Sequence, residues 1–305
     1  MTRDSVKIVF GGAPIGPGFT LTFADEANIE KVYKLLEEGG CDTIDMARRY
    51  GSSEEWMGKT GTGKRFVVDS KTPGGSDPGT STRENIPLHA KETVERLGVK
   101  SVDVYHIRAP DPAIDLEEQL HGINEAYKAE HFKRFGEWLP LPTVYQANYS
   151  VAARRAESEL LPTLPKLSIA FYVYSLIAGG LLLKTPEQLR DGSVEGRFGK
   201  THFLRGMCDA LYNKPSYHKV LELWGEAAKA ANCSKVELAH RWVAFDSAVD
   251  PAYGDAVIFG ASSHTQIAET LEFFERGSVG EAAKAKIDKI WKVIEHDVPL
   301  DDYNI

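Results

Sequence analysis

The sequence predicts an α/β fold of the (β/α)8 TIM-barrel class. Short runs rich in β-branched and aromatic residues alternate with stretches that carry apolar residues at helical spacing. Strands that alternate with helices form a parallel sheet, and about eight such units favour a barrel over an open sheet. The length of 305 residues also fits a single barrel. We therefore predict one domain over residues 1–305.

The elements follow one another in regular order. The predicted strands are Lys7–Gly11, Thr43–Asp45, Arg65–Lys71, Val102–Arg108, Phe132–Gly136, Thr143–Ala147, Ile169–Tyr174 and Ala256–Phe259. The predicted helices between and after them include Asp25–Gly39, Thr82–Leu97, Leu116–Ala129, Tyr217–Ala231 and His264–Arg276. In the first helix Ile29, Val32 and Leu36 recur at the spacing of one helix face.

The connection Glu137–Pro142 (EWLPLP) breaks this pattern between the fifth and sixth strands. Adjacent parallel strands need a crossover of about a dozen residues, usually a helix. A stretch this short, with two prolines, cannot supply one. Either the helix between strands 5 and 6 is missing, or the fifth strand pairs differently, or the sequence is a truncated or mis-spliced version of a standard barrel.

Composition excludes several classes of function. The net charge of −8 argues against nucleic acid or an anionic membrane as partner. No apolar run approaches the length of a membrane span and the N-terminus lacks an apolar signal core, so a cytoplasmic protein is expected. The cysteines Cys41, Cys208 and Cys233 are scattered and odd in number, which indicates reduced thiols. The histidines lack the spacing of metal ligands, so no metal site is expected.

Two glycine-rich stretches imitate nucleotide-binding motifs. Gly58–Arg65 (GKTGTGKR) nearly spells a P-loop, but Arg65 stands where Ser or Thr is required, and a strand follows where a helix should begin. Gly11–Gly18 lacks the GxGxxG pattern because Ala13 takes the place of the second glycine. We interpret it as a flexible first loop at the mouth of the barrel.

Four ionisable residues lie at the ends of three consecutive predicted strands. Asp45 ends the second strand, Tyr50 follows it, Lys71 ends the third and Arg108 ends the fourth. Each one alone fits a structural role such as a helix cap, loop packing or a solvated charge. In a barrel, however, the carboxyl ends of the strands face the active site. The four residues together therefore predict one catalytic cleft.

The same residues carry a resemblance to a known family. Ile44–Glu54 (IDMARRYGSSE) resembles the DTAxxYGxSE signature of aldo-keto reductases, with Met46 in place of the usual threonine. The resemblance is closest to the aflatoxin-aldehyde reductase branch, which includes fungal norsolorinic-acid-type reductases, and it runs in order over nearly the whole chain. The further segments that carry it are Val102–Asp111 (VDVYHIRAPD), Pro142–Tyr149 (PTVYQANY), Ala178–Leu182 (AGGLL) and Gly260–Thr270 (GASSHTQIAET).

Members of this family reduce aldehydes and ketones with NADPH and without a metal. The resemblance implies that Tyr50 donates the proton to the carbonyl oxygen, a contribution of roughly 10²–10⁴ in rate. Lys71 would favour ionisation of the phenol, and Asp45 would hold the lysine in place. Gln146 would bind the nicotinamide carboxamide, and Tyr174 would stack on the ring. The implied NADP(H) site comprises Asp45, Gln146, Tyr174, Ser175, Leu176, Ala178, Gly179, Gly180, Ser262, Ser263, Gln266, Glu269 and Thr270.

The main departure from the family is Arg108, which stands where a histidine normally orients the substrate carbonyl. Arginine is always charged and cannot pass a proton, but it can stabilise a developing oxyanion. His106 lies on the same predicted strand face, and we expect it to fill the core rather than to replace the lost imidazole.

Two other departures concern the cofactor. The short connection after Gly136 removes the Ser-Asn pair that normally binds the carboxamide. Thr270 replaces an asparagine at the adenine, and no lysine or arginine lies within Gly260–Thr270 to bind a 2′-phosphate. Arg197 and Lys200, in the predicted loop Gly192–Lys200, are candidates for that role, although exposed basic residues of loops are usually only solvated.

The leading hypothesis is an NADP(H)-dependent reductase, or the reverse oxidation, acting on a small-molecule carbonyl such as a bulky secondary-metabolite intermediate. The alternative is a catalytically silent nucleotide-binding barrel, because Arg108 replaces the histidine and the Ser-Asn pair is absent. A third hypothesis is elimination or isomerisation with the Tyr50 phenolate as base. Since the related branch tends toward dimers, the resemblance leaves a homodimer open.

Overall fold

A computed structural model describes residues 6–18, 20–134, 142–191, 194, 196–202 and 205–298. The chain divides into two compact units. The first unit comprises Ile8–Val144 and Phe259–Glu269, and the second comprises Met1–Lys7, Tyr145–Ile258 and Thr270–Ile305. The single domain over residues 1–305 stays a prediction.

In the first unit, five strands lie side by side in the order of the chain. Each neighbouring pair is parallel; Gly11 pairs with Asp45, and Lys71 pairs with His106. The strands are β1 (Lys7–Gly11), β2 (Thr43–Asp45), β3 (Val67–Thr72), β4 (Val102–Ile107) and β5 (Phe132–Arg134). The helices between them are α1 (Glu26–Glu38), α2 (Ser53–Lys59), α3 (Asn85–Leu97) and α4 (Leu116–Lys128).

Three strands follow: β6 (Val144–Asn148), β7 (Ala170–Tyr174) and β8 (Ala256–Phe259). In the second unit β7 lies between β8 and β6, and its pairing with β8 is parallel. The remaining helices, in chain order, are α5 (Ala156–Glu159), α6 (Pro186–Asp191), α7 (Arg205–Tyr212), α8 (Pro215–Ala230), α9 (Lys235–Phe245), α10 (His264–Glu275) and α11 (Glu281–Ile294). None of these described helices is long and apolar enough to span a membrane.

Apart from the connection between β5 and β6, strands and helices alternate as the predicted (β/α)8 class requires, and that class is confirmed. In α1, Asp25 caps the first turn by accepting a hydrogen bond from the amide of Asn28 at 2.9 Å. The predicted apolar face of α1 is buried. Gly98 closes α3 in a left-handed conformation with φ +64°, which glycine adopts at little cost.

Some predicted boundaries were wrong. β3 continues to Thr72, so Lys71 is its penultimate residue, and β4 ends at Ile107, so Arg108 lies one residue beyond the strand. The chain leaves the sheet there because the carbonyl of Ala109 accepts a hydrogen bond from Gly75, and Pro110 has no amide hydrogen to continue a ladder.

Other sequence predictions fall on loops. Within the stretch 183–205 lie the helix α6 and a 3₁₀ helix at Gly196–Phe198. β5 pairs in parallel with β4. The predicted short connection at 137–142 lies outside the described residues except for Pro142, as does the predicted end of the fifth strand.

The P-loop-like stretch has a packing role. A side chain on Gly58 would place its Cβ 1.9 Å from the carbonyl oxygen of Arg96, and one on Gly63 would lie 2.0 Å from a methyl of Val99. Both glycines therefore let the chain lie directly against the carboxyl end of α3. Arg65, the residue that breaks the motif, forms ion pairs with carboxylates of α1.

We predict that Gly58→Ala lowers the free energy of unfolding by about 3 kcal/mol, because the new methyl group meets a backbone atom that cannot rotate away. The control is Gly225→Ala in α8, where the nearest atom would be 3.8 Å away. There the exchange should stabilise by up to about 1 kcal/mol, as alanine usually does in a helix. Chemical denaturation measures both, and equal effects of the two substitutions would contradict the packing role.

Candidate active site

A buried ion pair lies at the carboxyl ends of β2 and β3. The ammonium Nζ of Lys71 donates to both carboxylate oxygens of Asp45 at 2.6 Å and to the main-chain carbonyl of Met46 at 2.7 Å. The side chains of Lys71 and Asp45 are only 5% and 6% exposed. These acceptors match the three donors of an ammonium, so the lysine is fixed in one place.

Burial alone would lower the pKa of Lys71, because it disfavours the charged form. The negative charge of Asp45, the influence of Tyr50 and the hydrogen bond to Asp45 outweigh both burial and the repulsion from Arg108. The net effect raises the pKa of Lys71 above its ordinary value. The lysine therefore stays a cation throughout the range in which proteins are stable.

A short turn after β2 presents Tyr50 to this pair. The amide of Tyr50 donates to the carbonyl of Ala47 at 2.9 Å, and the hydroxyl of Ser53 donates to the carbonyl of Tyr50 at 2.6 Å. The ring centroid of Tyr50 lies 5.8 Å from Nζ of Lys71. The turn thus sets the phenol within the electrostatic reach of a fixed cation.

Arg108 approaches the same ring. Its guanidinium carbon lies 5.4 Å from the ring centroid of Tyr50, within the range of a cation–π contact. Asp45, Tyr50, Lys71 and Arg108, which the sequence placed at consecutive strand ends, are therefore brought together by the structure. The catalytic roles predicted for them stay predictions.

The main chain at Arg108 is held by the loop that follows β3. A Cβ on Gly74 would lie 2.5 Å from the carbonyl oxygen of Ala109 and 3.3 Å from the Cβ of Arg108, so only glycine permits this approach. Gly74 also has φ +59°, which other residues rarely adopt. The amide of Gly75 donates to the carbonyl of Ala109 at 2.9 Å.

Asp111 also connects the loop that follows β3 to the loop that follows β4. Its carboxylate accepts hydrogen bonds from the amides of Gly79, Thr80, Ser81 and Ala113 at 2.8–3.1 Å. Burial tends to raise the pKa of Asp111, but these hydrogen bonds outweigh it and lower the pKa below its ordinary value. Sequence reasoning missed this role, although the acidic residue following the proline in Val102–Asp111 was a usable signal.

His106 is buried next to Lys71 in the strand register and is 7% exposed. Burial and the charge of Lys71 lower the pKa of His106 to about 3. Within the described part of the chain, its Nε2 has no hydrogen-bond partner. A histidine in these surroundings is therefore neutral at every physiological pH.

In the second unit, the residues predicted at the nicotinamide lie on neighbouring strands. Gln146 is on β6 and Tyr174 ends β7, and both are half-buried. After Tyr174 the chain makes a turn with several left-handed residues, and a Cβ on Gly180 would meet nothing within 4 Å. The residues with positive φ are Ser175 (61°), Ala178 (50°), Gly179 (64°) and Gly180 (99°). Such turns leave a concave backbone surface suited to an anion.

Arg197 lies over this turn. Its Nη1 would be 3.6 Å from a Cβ placed on Gly179, so the guanidinium lies beside the glycine. Arg205 anchors the 3₁₀ helix that carries it, by donating to the carbonyl of Phe198 and, at 3.4 Å, to that of Leu189. Within the turn itself, the side chains of Leu176 and Ala178 are buried.

The residues predicted at the adenosine surround the start of α10. The side-chain oxygen of Gln266 accepts from the amide of Ser262 at 2.8 Å, and Ser263 accepts from the amide of Gln266 at 3.2 Å. Ser262, Gln266 and Glu269 are exposed, whereas Thr270 is buried and has little surface for a ligand. Their cofactor roles stay predictions.

Comparison with known proteins identifies the family. Residues 7–292 match the Aldo/keto reductase family, and the chain belongs to it. Oxidoreductase sirO of Leptosphaeria maculans is 33% identical, over 87% of this chain and 86% of that protein. Aflatoxin B1 aldehyde reductase member 2 of Rattus norvegicus is 28% identical, over 98% and 91%. The glycerol dehydrogenase AKR11B4 from Gluconobacter oxydans shares the fold, with a TM-score of 0.73 at 20% identity over 100% of both chains.

These findings confirm the family and the branch that the sequence motifs indicated. The chain is an oxidoreductase of a family whose members are NAD(P)H-dependent carbonyl reductases.

We predict that Asp45→Asn lowers the free energy of unfolding by about 3–5 kcal/mol at pH 7, because it leaves the buried Lys71 cation without its counter-charge. Since the folded-state pKa of Lys71 is raised, the ionisation of this lysine contributes stability that is fully present below the unfolded lysine pKa, roughly 10.4. The stabilisation is lost as pH rises through the folded-state pKa.

Denaturation at pH 7 and at alkaline pH measures the difference between the variant and the wild type. Glu95→Gln, which removes the exposed partner of Lys91, is the control and should change stability little. A cost for Asp45→Asn as small as that of the control would contradict the assignment.

Proposed function

We propose that this protein reduces an aldehyde or ketone with NADP(H), or catalyses the reverse oxidation, and that it does so in the cytoplasm on a bulky carbonyl such as a secondary-metabolite intermediate. The observation that carries the proposal is the position of Tyr50 beside the buried Lys71–Asp45 pair and Arg108. The relative named for aflatoxin B1 aldehyde supports a bulky carbonyl as substrate.

The cofactor proposal rests on the second unit's open turn and on α10. The concave backbone at Gly179 and Gly180 fits a pyrophosphate, because a Cβ on Gly180 would meet nothing within 4 Å and the space beside the turn is therefore open. Gln146 and Tyr174 would hold the nicotinamide, while Ser262 and Gln266 at the start of a helix would hold the adenosine end. When bound, the reduced cofactor supplies the hydride.

The chain's own residues would donate the proton and stabilise the negative charge that develops during the reaction. Tyr50 would donate its hydroxyl proton to the carbonyl oxygen as negative charge develops there. Lys71, held by Asp45, would stabilise the phenolate that remains. Arg108 would stabilise the developing oxyanion but could not pass a proton.

Arg108 also favours a second candidate function. A guanidinium in place of the histidine that orients the carbonyl is the change expected in a barrel that binds nucleotide without turnover. Titration of NADPH, followed by fluorescence quenching, separates the candidates. Failure to bind at millimolar NADPH excludes the reductase, and binding without turnover of any aldehyde favours the silent barrel.

We predict that Tyr50→Phe lowers kcat for NADPH-dependent carbonyl reduction by about 10²–10⁴, because the proton donor is removed. The dissociation constant of NADPH should stay nearly unchanged. Steady-state kinetics and NADPH titration measure the two quantities. The control is Tyr253→Phe, at a tyrosine that is 55% exposed, and it should leave both unchanged. Full turnover by Tyr50→Phe would refute the mechanism.

We predict that Arg197→Ala weakens NADPH binding about tenfold and NADH binding much less, because we assign the guanidinium of Arg197, beside the turn that would hold the pyrophosphate, to the 2′-phosphate that only NADPH carries. The matched control is Arg190→Ala on α6, whose guanidinium pairs with Glu187 at 3.1 Å. Titrations of both nucleotides measure the selectivity. If the binding of NADPH and the binding of NADH were weakened equally, Arg197 would not bind the 2′-phosphate.

A further inference from the structure

The turn that carries Tyr50 leads into a buried carboxyl group. Glu54, the second residue of α2, is only 1% exposed. Its Oε1 accepts hydrogen bonds from the hydroxyl of Ser70 at 2.9 Å and from the hydroxyl of Thr93 at 3.1 Å. Both of these donors are fully buried. The carboxyl group therefore joins three elements, because Ser70 lies on β3 and Thr93 lies on α3.

The hydrogen bond to β3 is made at the residue next to Lys71. Successive side chains of a strand point to opposite faces of the sheet. Ser70 therefore faces the helices, where it meets Glu54, while Lys71 faces Asp45 on the other side. Parallel pairing with β2 and β4 fixes this strand along both edges. The carboxyl group is thus bound to a strand that has little freedom to move.

The same turn is attached to β3 at its other end. The amide of Arg48 donates to the main-chain carbonyl of Lys71 at 3.3 Å. Tyr50 lies between this hydrogen bond and the carboxyl group of Glu54. Ser53, the residue before Glu54, donates its hydroxyl to the carbonyl of Tyr50 at 2.6 Å. The segment 48–54 is therefore held at both ends, on two consecutive residues of one strand.

A carboxyl group is an energetically unfavourable choice for a buried position. Its removal from water requires free energy that an apolar side chain of the same size would not require. Burial also raises the pKa of Glu54 above its ordinary value, although the hydrogen bonds from Ser70 and Thr93 act in the opposite direction. An apolar side chain would fill the same space but could not accept these two hydrogen bonds. What the carboxyl group contributes is therefore a defined orientation of the turn on the sheet.

We propose that Glu54 is a positioning residue for Tyr50, and that it holds the turn on β3 so that the phenol keeps a fixed distance from Lys71. This inference rests on the proposed reductase function and adds a residue that acts through Tyr50. The ring centroid of Tyr50 lies 5.8 Å from Nζ of Lys71. Because a displacement of about 1 Å at a reacting group can lower a rate by about 10², loss of this hydrogen bond reduces kcat although the proton donor remains.

The test measures NADPH-dependent reduction of 4-nitrobenzaldehyde by variants of Glu54. We expect Glu54→Ala to lower kcat by about 10- to 100-fold, with KM and the dissociation constant of NADPH within about twofold of the wild type. Glu54→Gln should keep kcat within about threefold of the wild type, because the side-chain oxygen of glutamine still accepts both hydrogen bonds. All values of kcat are expressed per folded protein, with the folded fraction measured by circular dichroism.

The matched control is Glu237→Ala. Glu237 is also a glutamate buried in the first turn of a helix; it is 5% exposed and pairs with Arg241 and Arg276 at 2.7 Å. Its removal should lower stability and leave kcat unchanged. Ser70→Ala, at the other end of the hydrogen bond, should lower kcat by about 3- to 10-fold, and adding it to Glu54→Ala should cause no further loss.

Three outcomes overturn the inference while the reductase function stands. The first is full kcat in folded Glu54→Ala or, if that variant does not fold, in Ser70→Ala. The second is a loss of kcat that Glu237→Ala shares to the same extent, which would reveal only a general loss of stability. The third is a Glu54→Gln variant as impaired as Glu54→Ala. If the wild type reduces neither 4-nitrobenzaldehyde nor any other aldehyde, the proposed function fails and this inference fails with it.

Discussion

An ammonium and a carboxylate, Lys71 and Asp45, lie buried side by side on two neighbouring strands, and the rest of the site depends on that pair. Two unpaired charges could not be buried here, because the free energy needed to remove each charge from water would exceed the stabilisation that packing provides. Paired, and joined by the carbonyl of Met46, they give the site a cation whose position cannot drift. The turn that carries Tyr50 is built against this fixed charge.

The loops after β3 and β4 hold Arg108 in a fixed position, as the ion pair holds Lys71, but they do so through main-chain contacts. Here the contact is between main chains, so it requires glycine at Gly74, where a side chain would strike the carbonyl of Ala109. The carboxylate of Asp111 accepts hydrogen bonds from the amides of a loop that lies 30 or more positions earlier in the chain. Two rigid cations therefore flank one tyrosine, which suits chemistry that develops negative charge on an oxygen.

Periodicity recovered the strands and most of the long helices, but two of the helices that were not named from the sequence bury polar residues. In α2 the buried side chains include Ser53 and Glu54, and in α9 they include Glu237 and His240. Glu237 can be buried only because Arg241 and Arg276 pair with it, and Arg276 comes from elsewhere in the chain. A pattern that counts apolar positions does not recognise such a face, so neither helix was among those named from the sequence.

The sequence by itself determined the fold class, the family and the convergence of Asp45, Tyr50, Lys71 and Arg108. It could do so because parallel strands bring their carboxyl ends to one side, so a residue's place in its strand fixes its place in the site. Only the tertiary structure decided which groups hold these residues in position. These groups come from segments that are distant along the chain. They are the carbonyl of Met46, the amides bound by Asp111, the backbone of α3 against which Gly58 packs, and the guanidinium of Arg197 beside Gly179. Such contacts depend on how closely two surfaces approach, a distance that no local pattern of residue types encodes.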